Sequence, residues 1–277
     1  MALIGIMQGR LLPPTNNQIQ CFPKDRWEEE FEFAAKADLN CIEWIYDLHS
    51  ADMNPISTDA GVNKMKYLSA KYDVQVLSLC ADYFIDKPLI RADDHDLRER
   101  LSRVEWLLAR CQLMGINRVI LPFVDNSRIN TNDEAERVCE SLKHVLETAE
   151  KMDIEIHLET SLPPDQFADL LSNIHHPLLK VNYDSGNSSS LGYHPDHEFR
   201  AYGPHIGSVH IKDRILDGRT VPLGTGSTDF QALKNNLKRA NYKGDFILQV
   251  ARGIDGDEIS LAKDNRKFTL QNVVPLL

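Results

Sequence analysis

Four polar residues stand at or just beyond the ends of short apolar runs in the second half of the chain. They are Glu159 in EIHLE, Asp184 in LKVNYD, His210 in SVHIKDR and Gln249 in FILQVAR. Two carboxylates, an imidazole and an amide oxygen make a donor set suited to a divalent ion such as Zn²⁺ or Mn²⁺. A single glutamate at a strand end is as readily a cap or half of a local ion pair. Four consecutive runs that each deliver a ligand-type residue at the same place point instead to convergence on one ion. A carboxylate beside such an ion can also take a proton from carbon next to a polarised carbonyl, which gives Glu159 a second task as general base.

Convergence requires a frame that brings strand ends together. Short apolar runs occur at Leu3–Met7, Cys41–Ile45, Gln75–Leu79, Arg118–Leu121, Glu155–Leu158, Leu179–Asn182, Ser208–Ile211 and Phe246–Val250. Runs of this kind fit parallel strands buried on both faces. Amphipathic stretches alternate with them. Trp27, Phe31 and Ala34/Ala35 recur at helical spacing, as do Leu97, Leu101, Val104, Leu107/Leu108 and Cys111, and then Val138, Leu142, Val145/Leu146 and Ala149. Asn132 is placed to cap a helix start, and Gly115 to end one.

Such regular strand–helix alternation over 277 residues predicts an α/β fold, a single (β/α)8 TIM barrel spanning residues 1–277. An open doubly wound sheet is the rival. Gly5 and Gly9 do not match the G-x-G-x-x-G spacing expected after its first strand. In a barrel, the C-terminal strand ends face the active site, where these four residues fall.

Composition narrows the partners. A formal net charge of −10 argues against a nucleic-acid footprint, which needs a basic surface. No run approaches the roughly 20 apolar residues of a membrane span. The five cysteines are scattered and form no C-x-x-C pair, which reads as buried reduced thiols and a cytoplasmic protein. The aromatics Trp27 and Trp106 fit helix faces in the core. Trp44 and the Tyr83–Phe84 pair lie near strand ends, where they either stack on a ligand or fill the core.

Several other polar residues suit a substrate. Arg10 follows the first strand and Glu43 lies in the second; alternatively, Arg10 ties the barrel to a loop and Glu43 pairs with a basic neighbour. Arg214 and Arg252 place cations where a phosphate or carboxylate would sit. The turn LGTGS, with Gly224 and Gly226, offers backbone amides to an anion or is simply a flexible turn.

The pieces IHLE, VNYDSGN, SVHIKDR and PLGTGSTDF resemble the xylose-isomerase-like barrel superfamily of sugar isomerases, sugar epimerases and endonuclease IV. Within it they most resemble the sugar phosphate isomerase/epimerase group related to ketose 3-epimerases, from GIMQGRL through IEWIYD to the last strand. The resemblance implies one divalent metal (Mn, Zn, Mg or Co) held by Glu159, Asp184 and His210, with a fourth ligand on strand eight. It implies a small carbohydrate or sugar phosphate as substrate, and a homodimer. It also places His194, in GYHPDHE, near substrate, as a candidate to reprotonate it.

The chain departs from the group at strand eight, where ketose 3-epimerases have a glutamate and this chain has Gln249. An amide can ligate through its oxygen but cannot exchange a proton. The expectation is therefore a metal-dependent isomerase or epimerase working through an enediolate. A dehydratase of a polyol or cyclic keto acid, and a barrel that binds sugar without turnover, are the alternatives. Endonuclease chemistry is disfavoured by the charge.

Overall fold

The computed structural model describes residues 2–14, 18–254 and 256–275. The strands are β1 (Ile4–Met7), β2 (Cys41–Ile45), β3 (Gln75–Cys80), β4 (Arg118–Phe123), β5 (Glu155–Thr160), β6 (Leu179–Asp184), β7 (Ile206–Ile211) and β8 (Phe246–Leu248). All pair in parallel in sequence order, and β1 pairs with β8 to close the barrel. The TIM barrel expected from the alternation is the fold observed. Closure leaves no sheet edge and directs every strand's C-terminal end to one mouth.

Between the strands run α1 (Glu29–Lys36), α2 (Asp59–Tyr72), α3 (Tyr83–Asp86), α4 (Asp94–Met114), α5 (Asn132–Met152), α6 (Pro164–Ile174), α7 (Ser185–Ser190), α8 (Pro195–Tyr202), α9 (Phe230–Arg239) and α10 (Glu258–Asn272). The predicted apolar stripes are the faces these helices bury: Val104, Leu107, Leu108 and Cys111 of α4, and Val138, Leu142, Val145 and Leu146 of α5. Gly115 ends α4 in the left-handed region at φ 89°, as expected of a terminal glycine. The cap of α5 is Thr131, one residue before Asn132, because its hydroxyl accepts from the Glu134 amide. Trp44 is fully buried against Phe22, Trp27 and Phe31, so it belongs to the core and not to a sugar face.

Strand boundaries shift where the chemistry lies. β5 and β6 run further than their apolar residues suggest, so Glu159 and Asp184 sit inside strands with a defined facing. β8 is shorter than expected, yet the Gln249 amide still bonds the Ile211 carbonyl at 3.0 Å. The anion-binding turn is also corrected: the Gly224 and Gly226 amides donate to Asp213 Oδ2 at 2.9 and 2.8 Å, and Thr228 N to Oδ1 at 3.1 Å. Its amides already hold an anion, the chain's own carboxylate.

Gly207 lets β7 pass His157. A Cβ there would lie 2.6 Å from His157 Cε1 and 2.8 Å from Lys180 Cβ. Gly207→Ala is expected to destabilise the fold by about 1–3 kcal/mol through overpacking. The readout is a lower urea midpoint at unchanged slope; an unchanged midpoint would show that the His157 side chain yields freely.

Candidate metal centre

Glu159, Asp184 and His210 are buried side by side at the mouth ends of β5, β6 and β7, with one ligand atom from each lying within 4.8 Å of the others. Ligands at about 2.0–2.2 Å from one ion lie at most about 4.4 Å apart. The residues present therefore fit such an ion with an inward shift of a few tenths of an ångström. The set contains nitrogen and oxygen and no sulfur, which suits Zn²⁺, Mn²⁺ or a harder divalent ion.

Each donor is aimed by a neighbour. His210 Nε2 donates to Glu43 Oε1 at 2.7 Å, leaving Nδ1 to face the centre, 3.5 Å from Glu159 Oε2. Asp184 Oδ1 accepts the Gly186 and Asn187 amides at 2.9 and 2.7 Å, so it caps α7 while Oδ2 stays turned to the centre. Glu159 takes Asn187 Nδ2 on Oε1 at 2.6 Å and Asn182 Nδ2 on Oε2 at 2.8 Å. Lys212 Nζ lies 3.3 Å from Asp184 Oδ2 and donates to Gln249 Oε1 at 3.0 Å. The Gln249 Nε2 group donates away from the centre to Gln20 Oε1 at 2.9 Å, so its oxygen points toward Lys212 and Asp184.

Burial and charge compete at these groups. For Glu159, burial acts to raise the carboxyl, but the hydrogen bond and charge of His210, with Lys212 and Asn182, outweigh it and hold the group below its usual value. For Asp184, burial wins and the carboxyl is raised, although the Lys212 ammonium opposes it. For His210, burial acts to lower the imidazolium, and Glu43 and Glu159 overcome it, raising the group to about 10. An ion at Nδ1 must compete with that proton.

Beneath the ligands lies a polar column. His157, Asn182 and Ser208 each precede a donor by two residues and so share its strand face. Ser208 Oγ donates to Asn182 Oδ1 at 2.7 Å and lies 2.7 Å from His157 Nδ1, whose Nε2 is 3.0 Å from Glu155. Holding the Asn182 oxygen this way turns its amide nitrogen to Glu159 and toward His210 Nδ1, 3.1 Å away. The column was not anticipated, and His157 had no expected role. Period two counted back from each ligand would have found it.

Above the ligands opens a cavity of about 660 Å³ whose lining includes Glu159, Asn187, Lys212, Arg214, Gln249, Cys80 and Asp82. Of the cations and acids expected at substrate, Arg214 reaches this wall, bonded to Asn187 Oδ1 and the Gly218 carbonyl. The others are corrected. Glu43 is fully buried and serves His210. Arg10 is buried and holds the Val250 and Ile19 carbonyls and Gln20, and Arg252 grips the Gly9, Leu12 and Ile19 carbonyls, so both tie loops together. His194 caps α8, accepting the Asp196 amide, and its side chain is 55% exposed beside Asp196 and Asp229.

A closed parallel barrel with a buried Glu–Asp–His cluster at its C-terminal mouth defines the class of (β/α)8 proteins built around a metal-type centre. The family model for the xylose isomerase-like TIM barrel matches residues 31–271, and the chain belongs to that family. An L-ribulose-5-phosphate 3-epimerase, UlaE, of Shigella flexneri serotype 5b (strain 8401) is 25% identical over 236 residues, covering 81% of this chain and 82% of the relative. The solved structure of an L-ribulose 3-epimerase superposes with a TM-score of 0.78 at 19% identity, over 99% of this chain and 95% of the other. The IOLI protein, solved with a zinc atom, gives 0.75 at 16% identity over 98% and 96%. Among the described residues no helix is long and apolar enough to cross a membrane.

Two outcomes follow from this geometry. Glu43→Gln removes the charge that orients His210, and metal affinity is expected to fall about 10–100-fold with the fold intact. Competition with a chromophoric chelator reads this, and unchanged affinity would show that Glu43 does not aim the ring. His157 is held below its ordinary value by burial. The unfolded chain binds that proton near pH 6.5 and the folded chain resists it, so stability is full above about 6.5 and is lost as pH falls below it. The urea midpoint of His157→Gln is expected to drop less than that of wild type between about pH 8 and about pH 5. Parallel curves would contradict the assignment.

Proposed function

We propose that the protein is a divalent-metal-dependent isomerase or epimerase of a small sugar or sugar phosphate, acting through an enediolate. The observation that carries this reading is the buried Glu159–Asp184–His210 cluster, opening on a polar cavity of about 660 Å³, which falls within the roughly 300–1,000 Å³ typical of small-molecule sites. Kinship with a ketose-phosphate epimerase over most of both chains supports the substrate class.

Glu159, Asp184 and His210 would hold the ion, with Gln249 Oε1 as a fourth donor. When bound, a divalent ion draws electron density from a carbonyl and its neighbouring hydroxyl and acidifies the C–H beside them. Glu159, held ionised and fixed through Asn182 and Asn187, takes that proton as general base. The C–H bonding pair becomes the carbon–carbon double bond of the enediolate, and the carbonyl π pair moves onto its oxygen. The Lys212 ammonium stands on the same side of the cavity and stabilises anionic oxygen there. Gln249 orients and cannot exchange a proton.

The test is turnover of ketopentoses, ketohexoses and their phosphates by wild type, Glu159→Gln and Gln249→Glu at saturating Mn²⁺. Glu159→Gln is expected to lose at least about 100-fold, and chelation is expected to abolish wild-type activity reversibly. Unchanged turnover in Glu159→Gln would remove its role as base.

A further inference from the structure

We propose that Asp82 is the second acid–base group of this site, protonating the face of the substrate carbon that Glu159 does not reach. This rests on the enediolate reading above. Inversion at a carbon needs proton donors on two faces, because one base returns its proton to the face it came from. Gln249 cannot be that donor. The cavity wall supplies a carboxylate in its place.

Asp82 follows β3 and lines the same cavity as Glu159. In the closed strand order, β3 lies two strands from β5, three from β6 and four from β7, so Asp82 enters about a quarter turn from Glu159 and from across the barrel from His210. It is held in position: Gln20 Nε2 donates to Oδ2 at 2.7 Å, and Cys80 Sγ to Oδ1 at 3.1 Å. Gln20 in turn accepts from Gln249 and Arg10, linking Asp82 to the strand-eight position.

The other carboxylates on the wall suit the task less well. Asp47 is committed to the Phe22 and Ser50 amides at 2.8 Å each and to the Ser50 hydroxyl. Asp86, Asp125 and Asp217 are exposed. Burial raises the Asp82 carboxyl to about 6, helped by the charges of Glu159 and Asp47 and opposed by the bonds from Gln20 and Cys80. The buried Arg10 guanidinium feels the Asp82 charge. A carboxyl in this range both holds and releases a proton near neutrality.

The step balances without a co-reactant. The enediolate carbon–carbon π pair takes the proton from an Asp82 oxygen, the oxygen lone pair re-forms the carbonyl, and Asp82 is left as carboxylate. Glu159 keeps the proton first removed, and solvent exchange resets both groups. The reverse reaction uses Asp82 as base.

The experiment is run in deuterium oxide with Mn²⁺-loaded enzyme on the ketose or ketose phosphate that wild type turns over. It reads deuterium in recovered substrate and in epimer separately. For Asp82→Asn, epimer formation is expected to fall at least about 100-fold while exchange into substrate falls less than about tenfold. Asp82→Ser is read the same way should the new amide disturb Gln20, and Asp82→Glu is expected to restore part of the inversion. Epimer formation near the wild-type rate, or equal loss of both readouts in folded protein, overturns the role of Asp82 alone. A wild type that yields only the aldose isomer also overturns it, since that conversion needs one base. A wild type that exchanges no tested ketose overturns the enediolate reading and this proposal together.

Discussion

Three carboxylates, Glu43, Glu159 and Asp184, are buried around one imidazole at the mouth of this barrel, and keeping them charged there is the constraint on which the site depends. Isolated buried charge is strongly unfavourable unless paired and hydrogen-bonded. Here His210 stands between Glu43 and Glu159, and Lys212 sits against Asp184. Backbone amides of α7 and the side chains of Asn182 and Asn187 supply the remaining bonds. The result is a set of donors that cannot turn away from the centre without leaving a buried charge unpaired.

The frame of this site was legible in the sequence because its signal is repetitive. Eight apolar runs alternating with helical stripes admit few closed arrangements, and the residues ending runs five to seven fall at one mouth. The same reading placed Glu159, Asp184 and His210 together. It failed where the signal was a residue type without a period. Arg10 and Arg252 looked like anion sites, but they satisfy loop carbonyls, and a sequence does not show which oxygens a long side chain will meet. Glu43 was expected at the substrate, but it is fully buried and bonds His210 instead. His194 was drawn in by resemblance alone, and its local role as a helix cap decides its position.

What stayed hidden is mostly the supporting layer. Asn182, Ser208 and His157 occupy strand faces below the ligands, and their identity makes sense only once three strands are laid side by side in register. Asp82 and Gln20 come from the segments that follow β3 and β1 and meet through a single hydrogen bond. Such a pairing has no local sequence signature. The Gln249 amide is joined through Gln20 to that carboxylate.

The proposed function requires one divalent ion bound through His210 together with oxygen donors. X-ray absorption at the zinc edge of protein loaded with one equivalent of Zn²⁺ tests it directly. The spectrum is expected to show a single imidazole with oxygen ligands and no sulfur, and to lose the imidazole scattering in His210→Gln. A sulfur shell, more than one imidazole, or an unchanged spectrum in that variant would contradict it.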